Sequence, residues 1–237
     1  MKKGIMVAGT GTDVGKTIVT ASISAAWQKQ KKNFIAMKPV ASGCEIEGEC
    51  LVSSDAEWLR KAQGLGLSAR DIICPWRYEL AVSPLSAARL RGTTISIQEI
   101  SNHCQEHSKD RFLILEGAGG IASPVSEEGD WADLVHQLNL AVLLVVPVGL
   151  GGIHSLVTTL SYIKEKEVSL LGVVVNDFSD PSSLRSQCFL DEIKELKLPA
   201  PAYLFPKIAE LNIGEMANQA EKKFPLANWW DGKVEDE

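Results

Sequence analysis

The chain has 237 residues, 45% hydrophobic and 23% charged, with 24 basic against 30 acidic side chains and a net charge of −6. That balance excludes a disordered or fibrous chain and argues against a nucleic-acid backbone or an anionic membrane as main partner, so any bound phosphate must be met by a local site. One domain over 1–237 is expected, and five scattered cysteines suit a reduced, cytoplasmic setting.

The basic start Met1-Lys2-Lys3 leads into an apolar run at 4–8 that breaks at Gly9, too short for a signal peptide or a membrane span. Gly9-Thr10-Gly11-Thr12-Asp13-Val14-Gly15-Lys16-Thr17 follows, then an amphipathic stretch at 16–30 and a second run at 34–37 that ends at Lys38-Pro39. The segment 43–94 holds most of the turn-forming residues, one helical stretch at 56–63 and no clear strand, and reads as an elaborated cover over one edge of a sheet. A helix at 97–107 precedes the run 112–115, which opens into Glu116-Gly117-Ala118-Gly119-Gly120. A helix at 131–138 precedes the most apolar run, 141–148. A helix at 155–166, a run at 171–175 closed by Asn176-Asp177, a helix at 183–196 announced by Pro181 and Ser182/Ser183, and a weaker run at 202–205 complete the alternation. Unbroken apolar runs separated by amphipathic stretches predict an α/β fold with a six-stranded, mostly parallel sheet and helices on both faces. The tail beyond Trp230 is expected to fray.

The segment 9–17 sits between a strand and a helix, the setting of a phosphate loop. Backbone N–H groups converge on an anion, Lys16 reaches the β and γ phosphates, and the Thr17 hydroxyl is placed for Mg²⁺. The loop is a variant: the usual first glycine is Thr10, with Gly9 and Gly11 on either side. A P-loop NTPase-like architecture follows; the competing account is a tight turn that merely contains Gly-Lys-Thr. Mg²⁺ takes a few hard oxygens. Glu116 leaves a strand end beside bare backbone N–H groups, the edge where open α/β sheets bind ligands; otherwise it is an exposed Glu before a turn. Asp55 follows Ser53-Ser54, and on its own Ser-Ser-Asp before a helical stretch reads more often as an N-cap. Lys38 projects from the same sheet edge, directed by Pro39, and is either a second phosphate-facing cation or a solvated lysine. Asn176 could pair with adenine, and the guanine-selective Asn-Lys-x-Asp pattern is absent, which favours ATP; the rival reading is a turn-forming Asn-Asp pair. The glycine-rich loop 149–154 is a carboxylate site or a packing turn. Cys44 and Cys50 lack zinc-knuckle spacing, His103, Cys104 and His107 lack a second ligand pair, and neither His136 nor His154 has a Ser or Cys context that suggests a nucleophile, so neither zinc nor triad chemistry is expected.

Together, Gly-Thr-x-Thr-Asp-Val-Gly-Lys-Thr at 9–17, Lys-Pro-Val-Ala-Ser-Gly at 38–43, Ser-Asp at 54–55, Glu-Gly-Ala-Gly-Gly at 116–120 and Val-Asn-Asp at 175–177 resemble the dethiobiotin synthetase family. The resemblance implies a homodimeric P-loop enzyme of biotin biosynthesis that uses Mg²⁺ and ATP to close the ureido ring of dethiobiotin from 7,8-diaminononanoate and CO₂ or bicarbonate. It implies phosphate contacts from Asp13, Val14, Gly15, Lys16, Thr17 and Ile18 and from Glu116, Gly117, Ala118 and Gly119. Thr17, Asp55 and Glu116 would hold Mg²⁺, Lys38 and Lys16 would be catalytic, and Thr12 and Ser42 would lie at the diamine. Asn176 and Asp177 would meet the adenine, flanked by Pro206, Lys207 and Ile208. Gly151, Gly152, Ile153 and His154 of the partner subunit would receive the substrate carboxylate. This sequence departs from the family at Asp13, where Glu is common, and at Gly149 and His154, where Lys and Asn occur.

The implied course runs through a carbamate and a carbamic-phosphoric anhydride, with Lys38 also helping to keep an amine deprotonated. Two rivals share the architecture. A partitioning or septum-placement ATPase switch carries an extra early P-loop lysine where this chain has Thr10 and Gly11, and a corrin-type amidating synthetase usually appends a glutaminase domain for which 237 residues leave no room.

Overall fold

The computed structural model describes residues 3–178 and 182–230. In chain order its elements are β1 (Gly4–Gly9), α1 (Lys16–Lys29), β2 (Phe34–Met37), β3 (Val40–Ala41), β4 (Glu45–Glu47), β5 (Cys50–Val52), α2 (Ser54–Ala62), α3 (Arg70–Ile73), β6 (Trp76–Arg77), α4 (Pro84–Leu90) and α5 (Ile97–His107). They continue as β7 (Phe112–Gly120), α6 (Trp131–Leu138), β8 (Ala141–Pro147), α7 (Gly152–Glu165), β9 (Leu170–Asp177), α8 (Leu184–Glu195), β10 (Ala202–Pro206), α9 (Ile213–Lys223) and α10 (Leu226–Trp230).

The six apolar runs form one parallel sheet in the order β10-β9-β8-β1-β7-β2. Alternating Cβ directions divide each run between two cores. Along β8, Leu143 and Val145 join Ile5, Val7 and the α1 residues Val19 and Ile23 on one face. Val142, Leu144 and Val146 join Met6, Ala8 and the α6 residues Trp131 and Val135 on the other. With both faces covered, a polar residue anywhere in β8 would be desolvated, and trimming Leu143 to Ala would cost about 2–5 kcal/mol.

Several expectations needed correction. The run at 112–115 extends through Gly120, so Glu116 lies inside β7, opposite Val7, and does not follow a strand end. A Cβ on Gly117 would come within 2.5 Å of Met6 Cε, the movable end of that side chain. The 43–94 segment contains strands after all: the β4-β5 hairpin and β6, which pairs with β3 just before the segment, in two- and three-residue ladders too short to show periodicity. Helix α7 begins at Gly152, three residues earlier than read, because Gly151 takes a left-handed φ of 83° and starts it. Helices α3, α4, α9 and α10 were not anticipated. In α9, Asn212 caps Glu215 N at 2.9 Å while Met216, Ala217 and Ala220 pack on the α1 side of the sheet. Trp230 stacks on Phe112 at 5.4 Å and meets the edge of Trp27, so the end of α10 is fastened under the sheet. The expectations for Pro181 and for 231–237 lie outside the described residues, although Ser183 does cap α8 through Ser186 N at 3.2 Å. No helix among the described residues is long and apolar enough to cross a membrane.

Candidate active site

Between β1 and α1 the chain turns through two left-handed residues, Asp13 (φ 57°) and Gly15 (φ 95°). Gly9 must lack a side chain, since a Cβ would lie 2.7 Å from Val14 Cγ2 and 2.8 Å from Gly11 O. The loop is pinned by Thr10 N donating to Val145 O at 3.0 Å and by Asn176 Nδ2 donating to Val14 O at 2.9 Å. Helix α1 has no acidic residue in its first turn, so its N-terminal N–H groups present an uncompensated positive end. Lys16 folds back over the loop, Nζ to Gly11 O 2.8 Å. Burial pulls its ammonium down to about 8, with Glu116 opposing the shift and Lys38 adding to it.

Under the loop, four side chains converge, three from α1, α2 and β7 and one from the link after β2. Glu116 of β7 is fully buried; its Oε1 accepts from Thr17 Oγ1 at 2.7 Å and from Lys38 Nζ at 2.9 Å. Lys38, just past β2, also donates to Asp55 Oδ2 at the start of α2. The capping of α2 falls to Ser53, whose Oγ accepts from Ala56 N at 3.3 Å, which leaves Asp55 free for Lys38. Burial disfavours the Lys38 charge, but Glu116 and Asp55 outweigh it and hold the ammonium well above the ordinary lysine range. In this metal-free arrangement the two carboxylates favour the charged form of Lys38, the opposite of the lowered value that helping to deprotonate an amine would need. Burial pushes Asp55 up, and Lys38 more than offsets it, leaving the carboxyl below the ordinary range. Glu116 Oε2 is buried and has no hydrogen-bond partner among the described residues. An orphaned carboxylate oxygen beside a hydroxyl and a second carboxylate is a hard-oxygen set that fits Mg²⁺.

A family profile described as an AAA domain matches residues 3–202. The ATP-dependent dethiobiotin synthetase BioD of Geobacillus sp. (strain WCH70) is 34% identical over 227 residues, covering 94% of this chain and 92% of that protein. Its namesake in Thermodesulfovibrio yellowstonii is 31% identical over 236 residues, covering 95% and 98%. The chain belongs to the dethiobiotin synthetase family. Among solved structures it is similar to cobyrinic acid a,c-diamide synthase from Mycobacterium smegmatis, with a TM-score of 0.58 at 16% identity over 99% of this chain and 98% of that one. It is also similar to a ParA family ATPase from Chlorobium tepidum TLS, with a TM-score of 0.54 at 15% identity over 93% and 91%. At such identities the likeness concerns the fold alone.

The residues that the family resemblance singled out fall into four groups. Thr12, Asp13, Gly15, Lys16, Thr17, Ile18, Lys38, Ser42, Asp55, Ala118 and Gly119 line one cleft of about 770 Å³. Val14, Glu116, Gly117, Asn176 and Asp177 are buried beneath or behind it. Pro206 pairs with Asp177 across the β9-β10 ladder, Lys207 is exposed and Ile208 is buried in the core, all off the cleft wall. Gly151, Gly152, Ile153 and His154 stand apart from the cleft at the start of α7. Sequence reading missed Trp58, Val82, Ser83, Pro84, Ser123 and Phe178 in the cleft wall. Only Ser83-Pro84 carried a local signal, a cap followed by Pro at the first helical position.

Proposed function

We propose that this chain performs the family's ATP-dependent ring closure, converting 7,8-diaminononanoate and CO₂ to dethiobiotin with release of ADP and phosphate. One amine of the substrate adds to CO₂ and loses a proton, giving a carbamate. A carbamate oxygen attacks the γ-phosphorus in line as the bond to ADP breaks. The second amine then attacks the carbonyl carbon of the mixed anhydride, phosphate departs with the bonding pair, and loss of the amine proton completes the ring. The repulsion between carbamate and triphosphate is the main obstacle, and offsetting it is the chief task of a phosphoryl-transfer site. Lys16 stands over the loop to meet the β and γ oxygens, and Lys38 presents its ammonium to the transferring group. Thr17, Asp55 and Glu116 would hold Mg²⁺, which when bound supplies further charge neutralisation at the phosphates.

The observation that carries this reading is the convergence of Thr17 and Lys38 on one Glu116 oxygen while the other oxygen is left without a partner. Further parts of the same proposal are a single cytoplasmic domain, a homodimer in which the partner's 151–154 loop receives the substrate carboxylate, Thr12 and Ser42 at the diamine, and Asn176 and Asp177 at the base with Pro206, Lys207 and Ile208 flanking it. The test is phosphate release with Mg-ATP, bicarbonate and 7,8-diaminononanoate, each omitted in turn. Release should require all of them; release that ignores the diamine overturns the synthetase reading and favours a switch ATPase.

A further inference from the structure

We infer that Phe178 is the stacking platform for the nucleotide base, a role that rests on the reading of the cleft as an ATP site. The two residues before it, at the end of β9, face inward: Asn176 is 2% and Asp177 0% exposed. The Asn176 amide is committed to Val14 O, and its side chain closes over the backbone of Gly15. This strand end thus braces the phosphate loop from behind, and the first side chain to emerge from it is Phe178, 44% exposed and part of the cleft wall.

Its position is tied to the loop. A Cβ on Gly15 would approach Phe178 Cζ to 2.9 Å, so the ring edge rests against the turn from which α1 starts. A nucleotide with its phosphates on those N–H groups would carry its base out past the same turn, along the part of the cleft wall that the half-exposed Phe178 ring forms. Every base has a π face, so stacking supplies affinity with little hydrogen-bond readout, and the larger purine surface gains more than a pyrimidine. The expected nucleotide preference is therefore graded, ATP and GTP above CTP, with the bracing Asn176 contributing less to base choice than its place after the strand implies.

The experiment compares wild type, Phe178→Ala and Phe178→Trp by calorimetric titration with MgATP, MgCTP and inorganic tripolyphosphate, which has no base. Phe178→Ala should weaken MgATP about tenfold and narrow the ATP-to-CTP ratio, leave tripolyphosphate affinity unchanged, and be rescued by Phe178→Trp. Equal MgATP affinity in wild type and Phe178→Ala overturns the inference. So does a parallel loss of tripolyphosphate, which would mean that the ring only supports the loop. A wild type that binds tripolyphosphate and no nucleotide more tightly would overturn the ATP reading along with it.

Discussion

Lys38→Met tests the charge arrangement most directly. Its ammonium is 7% exposed and lies 2.9 Å from an oxygen of the fully buried Glu116, while Asp55 is 41% exposed. At an effective dielectric of about 20, the Lys38–Glu116 attraction at that separation is roughly 6 kcal/mol before desolvation is charged against it. The Asp55 contact is screened by water and adds at most about 1 kcal/mol. Removing the lysine strands a buried carboxylate, for which about 3–5 kcal/mol of lost stability is expected. In a chain of this size that corresponds to a fall of roughly 10 °C in Tm. Calorimetry of the metal-free protein should show that fall, and Lys38→Met/Glu116→Gln should recover most of it, because the stranded charge is gone. Phosphate release should stay at least about 100-fold down in both variants, since the phosphoryl group has lost a cation. A single variant within about 1 °C of wild type, or a double variant no more stable than the single, would refute the idea that Lys38 neutralises Glu116.

Other outcomes follow from the remaining charges. Lys16, pulled down to about 8 chiefly by burial, holds its proton less tightly folded than unfolded. Stability of the metal- and nucleotide-free protein should therefore rise between about pH 8 and 10.5 by roughly 2–3 kcal/mol, and Lys16→Met should be as stable as wild type or more so at pH 7 while losing ATP-dependent turnover. Glu57 is held down to about 2 mainly by hydrogen bonds from Arg60, with Arg70 adding to them. Its contribution is present above about pH 4.5 and disappears as the pH falls toward 2, so Glu57→Gln should cost about 1–2 kcal/mol in urea unfolding at pH 7, after allowance for screening, and nothing at pH 2.

Much of the architecture was legible because its determinants are local. A strand covered on both faces has to be apolar at every position, so 141–148 announced itself without any knowledge of its neighbours. The phosphate loop was legible for a related reason: strand, glycines, lysine and helix are contiguous, and the loop's shape depends on φ values that glycine adopts freely. Helices α9 and α10 were harder to see, because their apolar faces make sense only against the α1 side of the sheet. The β4-β5 hairpin was missed because three-residue strands leave no measurable period.

What the sequence determined by itself was the sheet, its six strands, the phosphate loop and the family. Tertiary structure alone decided what those residues do to one another. Lys38 and Glu116 are 78 positions apart, and Thr17 and Glu116 are 99 apart. Their meeting favours the charged form of Lys38 and leaves one Glu116 oxygen without a partner among the described residues, while Ser53 caps the helix and Asp55 bonds to Lys38. The reason is physical: a motif specifies which groups the chain carries, whereas charge state and hydrogen-bond partner depend on burial and on neighbours that only folding brings within a few ångströms.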